Sequence, residues 1–348
     1  MTYKDIDNSK AIHIVLTTDN NYIKQCCVTI LSILLNSSET NYFCFHIIHT
    51  GFTEKEKSKF SFKNFKNYKI IFYNVENFDL TDFSVTLSHT TITTYYRIFI
   101  TKILTKDIKK IIYLDCDLIV LKDIKNLWEV DLENYFVGVV EDKEDFDYFK
   151  SIVNDNFNYF NAGVMLLNLD KLREYDFTAK CLEFYKKNET KLYFQDQDIL
   201  NFVLNGKCKY LPISWNMQTA FYLNKKSKTI NKFHFKKVKE NPNIVHYTML
   251  YKPWIFAHYH PMKDVYTKYM LLVNTPLENI LFFTRAIFSI IFSFQFAENY
   301  RIIKMFNIPI YELYGYKRKI IRIFNVPIYK KFKVRNTFRE YLFSYRKR

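Results

Sequence analysis

Asp115 and Asp117 lie in the run Tyr113-Leu-Asp-Cys-Asp-Leu-Ile-Val120, an apolar strand that ends in two carboxylates spaced i, i+2. Alternate residues of a strand share a face, so the two acids can aim at one point. Carboxylates brought that close repel each other unless a cation lies between them. The pair is therefore a candidate for holding a divalent metal and, through it, a phosphate. Spacing alone also fits a loop carrying two solvated acids. Further on, Phe194-Gln-Asp-Gln-Asp198 sets Asp196, Gln197 and Asp198 against the start of another apolar run. Polar groups buried there are costly unless they bind something. Phe160-Asn-Ala-Gly163 puts a small pair, Ala162 and Gly163, at the opening of an apolar strand. His246, taken alone, reads as a core or surface histidine.

Composition narrows what such residues could serve. A chain of 348 residues, 49% of them hydrophobic, can fill one large domain or two smaller ones. With only 5 Gly it has no glycine-rich phosphate loop, so a phosphate would have to be held by metal and side chains. The six cysteines form no C-x-x-C pair and no zinc spacing. They read as free buried thiols of a reducing compartment. The N-terminus is polar, unlike a signal peptide, and the chain is expected to be cytoplasmic. The net charge of +16 is uneven: from Ala297 to Arg348, 14 Lys and Arg stand against 3 Asp and Glu. A surplus of 11 in that stretch makes the charge a property of the tail.

The elements that must carry the acids alternate in type. Ala11–Thr17, Phe43–His49, Lys69–Tyr73 and Ile111–Leu114 read as strands. Tyr22–Asn36, Lys55–Phe65 with a Thr53/Glu56 capping box, and Thr93–Ile103 read as helices. That alternation predicts βαβ units and a mostly parallel sheet, which binds ligands at the carboxyl ends of its strands. A strand opening near Ala162 and a helix over Asp170–Lys187 follow. Ile280–Phe296 is mostly apolar but only 17 residues long and contains Arg285, which argues against a spanning helix. A copied pair comes next, Ile302-Ile-Lys-Met-Phe-Asn-Ile-Pro-Ile-Tyr-Glu312 and Ile320-Ile-Arg-Ile-Phe-Asn-Val-Pro-Ile-Tyr-Lys330, offset by 18 residues. Aromatic and aliphatic anchors interleaved with Lys and Arg suit an anionic bilayer surface. A solvated basic tail packing on the domain, or an RNA-binding segment, fits the composition too, although no nucleic-acid module is recognisable.

Four islands stand in order: Thr17-Thr-Asp-Asn-Asn-Tyr22; Thr94-Tyr-Tyr-Arg97 with Tyr113-Leu-Asp-Cys-Asp117; Phe160-Asn-Ala-Gly163 with Phe194-Gln-Asp-Gln-Asp198; and His246-Tyr-Thr-Met-Leu-Tyr-Lys-Pro-Trp254. Together, over about residues 11–275, they resemble the family 8 glycosyltransferases, in particular bacterial galactosyl- and glucosyltransferases of lipopolysaccharide and other surface glycans. The resemblance implies an α/β GT-A fold with a Rossmann-like mixed sheet over residues 1–276. It also implies a helical, basic, membrane-associating tail over residues 277–348. The donor would be UDP-glucose or UDP-galactose and the acceptor a lipid-linked or lipopolysaccharide saccharide. Anomeric configuration would be retained, and the metal would be manganese, with magnesium as the alternative. The enzyme would work in the cytoplasm, peripheral on the inner face of the cytoplasmic membrane, with no nucleic-acid partner.

Carried over by position, Asp19 and Asn21 would meet uracil and ribose, with Tyr22 stacked on the base. Asp19 also suits the N-cap of the following helix. Arg97 would sit near the sugar or diphosphate. Asp115, Asp117 and His246 would ligate the metal, a mixed oxygen and imidazole set that favours manganese. Asn161, Ala162 and Gly163 would line the sugar pocket, where missing bulk lets the backbone approach the ring. Asp196 would bind sugar hydroxyls, Gln197 would lie under the anomeric carbon, and Lys252 would pair with the leaving diphosphate. A neutral amide is a poor nucleophile; Asp198 would be a better one. Front-face attack is the favoured route. The resembling sequences usually carry Gly three residues after the metal-binding His, where this chain has Met249. Three other readings share single features: an Asp-x-Asp phosphatase-like hydrolase, a glycogenin-like self-glucosylating primer, and a non-enzymatic membrane adaptor. Hexose mass gained on incubation with UDP-sugar would single out the primer.

Overall fold

The structure, a computed structural model, describes residues 10–76, 92–142, 158–223, 232–248, 252–255 and 260–297, and the strands at 300–305, 308–314, 318–323, 326–334 and 337–342. The chain divides into two compact units, Met1–Val273 and Asn274–Arg348.

The first unit is built on a seven-stranded mixed sheet in the order β3-β2-β1-β4-β7-β6-β8. These strands are β1 Ile12–Thr18, β2 Phe43–His49, β3 Tyr68–Asn74, β4 Lys110–Leu114, β6 Val137–Glu141, β7 Phe160–Asn168 and β8 Cys208–Tyr210. Strands β3, β2, β1 and β4 run parallel, whereas β7 is antiparallel to both β4 and β6. The expected mostly parallel sheet thus holds for the first four strands and gives way to mixed pairing after β4. Strands β1 and β2 are apolar without alternation because both faces are covered. Ile14, Leu16 and Leu114 face one core, together with the helix Ile23–Asn36. Val15, Ile111 and Tyr113 face the other, together with the helix Phe177–Asn188. A second sheet, β5-β10-β9, joins Leu118–Val120, Ile244–His246 and Met217–Gln218.

Three expected helices are shorter or broken. The Thr53/Glu56 capping box is present, but its helix ends at Lys57, and Phe60 and Phe62 enter the core from irregular chain. Thr93–Ile103 begins as a 3₁₀ helix over Ile92–Phe99 and becomes α-helical only over Ile100–Ile103. Asp170–Lys187 breaks at Asp176, whose φ of 52° is left-handed, into Leu169–Glu174 and Phe177–Asn188.

The second unit opens with the helix Pro276–Ile291. Thr275 and Glu278 cap it reciprocally, and Pro276 takes its first position. No helix among the described residues is long and apolar enough to cross a membrane. From Phe292 the described residues form six antiparallel strands in sequential order, β11 to β16 (Phe292–Ala297, Tyr300–Met305, Ile308–Tyr314, Arg318–Ile323, Val326–Val334, Thr337–Leu342). The copied segments form the successive hairpins β12–β13 and β14–β15. Each carries a register shift at the same place, Ile303/Lys304 and Ile321/Arg322.

Candidate active site at the seam of two sheets

Asp115 follows the end of β4, and Asp117 precedes β5, so the chain turns from one sheet into the other between them. The Asp115 N–H donates to the Gly163 carbonyl of β7, and the Tyr247 N–H donates to the Asp117 carbonyl. Three side chains of the helix Ile23–Asn36 clamp this turn from behind. The Thr29 hydroxyl lies 3.1 and 2.9 Å from the carbonyls of Cys116 and Leu118. Ser32 Oγ accepts from the Val120 N–H, and Asn36 Nδ2 donates to the Val120 carbonyl. Their spacing of three and four places them on one helix face, a signal the sequence carries but the motif reading missed.

Pairing of β10 with β5 sets His246 opposite Leu118. Its Nε2 lies 3.1 Å from Asp117 Oδ1 and 3.8 Å from Asp115 Oδ2. Donor atoms of Asp115, Asp117 and His246 all fall within 4.8 Å of one another. His246 Nδ1 is 2.9 Å from Asn216 Oδ1, which leaves Nε2 turned toward the acids. Asn216, fully buried, in turn donates to Asn161 Oδ1; no sequence pattern pointed to it. Gly163 owes its identity to this site. A Cβ there would fall 2.2 Å from His246 Cε1 and 2.7 Å from Asp115 Oδ2. The missing side chain leaves room for the donor set itself. Two carboxylates and an imidazole around a space that admits no Cβ fit a divalent ion such as manganese.

Lys252 contacts Asp117 Oδ2 and donates to the Tyr247 carbonyl. Burial works against the charge of Asp117, but Lys252 and His246 hold its carboxyl well below the usual range. Arg97 is buried among four partners: Asp115 Oδ1 at 2.9 Å, Asp196 Oδ2 at 3.0 Å, and the carbonyls of Ala162 and Thr94. Desolvation disfavours its charge, yet Asp115 and Asp196 outweigh that and push its pKa up. Its guanidinium also lies over the ring of Tyr113, whose hydroxyl donates to Asp115. Asp196 is pushed up to about 6 by burial, with Arg97 opposing and Asp115 adding to the shift. Its buried Oδ2 is engaged by the Arg97 guanidinium through the ion pair.

Gln197 is fixed by its neighbours. The Ala162 N–H and Asn161 Nδ2 both donate to Oε1, while Nε2 points to Asp142 Oδ2 at 3.3 Å. Immediately before this pair, buried Gln195 holds φ 49° and ψ −113°, a sparsely populated conformation for a residue with a Cβ. Asp198 is not brought to the group. Tyr159 donates to one of its oxygens, and the N–H groups of Tyr193 and Phe194 donate to the other. Both of its oxygens are occupied and the side chain is fully buried, so it is turned away from the cleft.

An open cleft borders the acids, lined by Thr18, Asp19, Tyr22, Thr94, Arg97 and Lys252 among others. Asp19 Oδ1 accepts from the N–H groups of Asn21 and Tyr22, so it shapes the turn into the helix as well as lining the cleft. Tyr22 meets Trp254 edge to face at 5.8 Å. Asn21 is exposed and stands outside the residues that line the cleft. Met249 lies outside the described residues.

Residues 13–257 match the sequence profile of glycosyl transferase family 8. The chain is 33% identical over 266 residues to General stress protein A of Bacillus subtilis strain 168, covering 74% of this chain and 93% of that protein. It is 28% identical to the Lipopolysaccharide 1,2-glucosyltransferase of Escherichia coli K12 over 78% of this chain and 80% of that one. Among solved structures, the galactosyltransferase LgtC in complex with donor and acceptor sugar analogs superposes with a TM-score of 0.68 at 26% identity. That match spans 78% of this chain and all of LgtC.

Proposed function

The chain belongs to glycosyl transferase family 8, and we propose that it is a metal-dependent, retaining hexosyltransferase using a UDP-sugar. The observation that carries this reading is the convergence of Asp115, Asp117 and His246 beside a cleft bordered by Asp19 and Tyr22. It is a glycosyltransferase with a GT-A-like α/β fold, acting with a nucleotide-sugar donor and a saccharide acceptor. Glucose or galactose as the hexose, and a surface glycan such as lipopolysaccharide as acceptor, follow from the relatives' activities. We assign residues 1–276 to catalysis and 277–348 to docking on the inner face of the cytoplasmic membrane.

In this reading Asp115, Asp117 and His246 hold manganese, which supplies positive charge to the leaving diphosphate. Tyr22 stacks on the uracil, and Asp19 accepts from its N–H. Lys252 moves from Asp117 to the diphosphate as charge grows there. Asp196, ion-paired with Arg97, accepts from sugar hydroxyls. Gln197, held by Ala162, Asn161 and Asp142, is too constrained and too weakly basic to attack carbon. It offers its amide dipole to the cationic sugar instead. The acceptor oxygen bonds to the anomeric carbon on the face the diphosphate leaves, and a diphosphate oxygen takes the hydroxyl proton.

The test is UDP release from a panel of UDP-sugars, with Mn²⁺ or EDTA, for the wild type and Asp117→Ala. Slow hydrolysis of one UDP-hexose that needs both Mn²⁺ and Asp117 is expected. Absence of both turnover and UDP binding under every condition would overturn the proposal.

A further inference from the structure

A second convergence of metal-binding atoms lies at the other end of the strands. His13 on β1 and Cys44 on β2 are register partners, and His46 sits two residues further along β2, opposite Val15. Alternate and register-paired residues share a face, so all three side chains project from the same side of the sheet. His13 Nδ1 lies 3.0 Å from His46 Nε2, with the rings stacked at 5.2 Å. The donor atoms of His13, Cys44 and His46 all fall within 4.8 Å of one another. A tetrahedral ion bound at about 2.1 Å to nitrogen and about 2.3 Å to sulfur sets its donors about 3.3–3.6 Å apart. The two nitrogens, 3.0 Å apart, and the sulfur, within 4.8 Å of both, lie near that spacing.

The surroundings are those of a ligand set. All three residues are buried. The second nitrogen of His46 lies 2.9 Å from the Tyr73 hydroxyl, the kind of outer partner that orients a ligating imidazole. Burial drives His46 down to about 3, so its imidazole is neutral and can donate a lone pair. Burial likewise pushes the Cys44 thiol up to about 11, so only a bound cation would draw off its proton near neutral pH. Charges of both signs lie close by: Lys69, the β3 partner of Cys44, and Asp107. None of these groups belongs to the cleft at Asp115 and Asp117. The two sites also differ in chemistry, since hard oxygens suit manganese whereas a thiolate with two imidazoles suits zinc.

We propose that His13 Nδ1, Cys44 Sγ and His46 Nε2 form a structural zinc site that cross-links β1 to β2. Binding of Zn²⁺ forms one Zn–S and two Zn–N bonds, breaks the S–H bond of Cys44, and breaks the His13–His46 hydrogen bond, whose proton moves to the outer nitrogen of the ring that carries it. One proton goes to solvent per ion. A water fills the remaining coordination position. The cross-link fixes the start of the strand whose far end leads into Thr18 and Asp19.

The experiment is cobalt substitution in the full chain stripped of metal with a chelator. One equivalent of Co²⁺ should give a thiolate-to-cobalt absorption band that persists in Asp117→Ala and in Cys181→Ser and is lost in Cys44→Ser. Zinc should displace the cobalt, raise the melting temperature, and release one proton per ion in calorimetry across two buffers. Absence of the band in the wild type overturns the proposal without relying on any variant. A band that survives both Cys44→Ser and His13→Asn overturns it as well.

Discussion

His246 presents Nε2 to the acids because Asn216 engages its other nitrogen, and Asn161 engages Asn216. Replacing Asn216 by Ala is expected to weaken Mn²⁺ binding by about 10–100-fold, the usual effect of losing such a partner. Calorimetric titration with UDP present measures this, and Asn216→Asp should recover part of the loss. Asp198 calls for the opposite outcome. Asp198→Asn removes acceptors from Tyr193 and Phe194 and should cost about 1–3 kcal/mol of stability. Turnover per folded molecule should be nearly unchanged, whereas a nucleophile would lose turnover at constant stability. Asp196 links the site to pH. Its folded pKa of about 6 exceeds the ordinary 3.8, so folding favours the protonated form. That contribution is full below about pH 4 and is lost as pH rises through 6, about 3 kcal/mol in all. Asp196→Asn, always neutral, should show a flatter melting profile between pH 4 and 7. Parallel profiles would remove the assignment.

At the level of elements, the helix Ile23–Asn36 stabilises the turn between the acids through Thr29, Ser32 and Asn36. Ser32→Ala would leave the buried N–H of Val120 without its acceptor, a cost of about 1–3 kcal/mol. Chemical denaturation should show that loss, together with weaker UDP binding from a looser turn; unchanged values would mean that strand pairing alone sets it. Strands β1, β2 and β4 were legible because their apolar runs are bounded by turns and continuous on both faces. Broken elements were not. Asp176 has ordinary helical neighbours, and Asp is one of the few residue types that adopts the left-handed φ that breaks the helix there. The acids of the Asp-x-Asp pair and His246 could be named from their islands, and the hydrogen bonds that sort Asp196 from Asp198 could not. Asp198 is taken up by backbone N–H groups four and five residues earlier, and sequence spacing gives no sign of that. Asn216 escaped for a related reason: its partners lie 30 and 55 residues away. In the tail, alternating aromatic and basic residues fit strands as well as an amphipathic helix, and the copied segments became hairpins.

On the scale of the whole molecule, charge and chemistry are divided between the units. The acids of the site belong to Met1–Val273, while the basic surplus belongs to Asn274–Arg348. Ending the chain after Pro276 is expected to preserve UDP binding while abolishing sedimentation with anionic vesicles. Retained sedimentation would remove the docking role. The seam between the sheets has a consequence for how ligands act on the fold. Asp117 and His246 are 129 residues apart, and Asp117 and Lys252 are 135 apart. No short fragment contains them, so the donor set exists only once both sheets are formed and joined. A ligand held there binds the complete native state alone and is lost on its first global opening. Saturating it at 100 times its dissociation constant would deepen the native basin by about 2.7 kcal/mol. That protection would fall on the slowest-exchanging amides of β1, β4 and β10 together, so occupancy and foldedness become a single cooperative quantity.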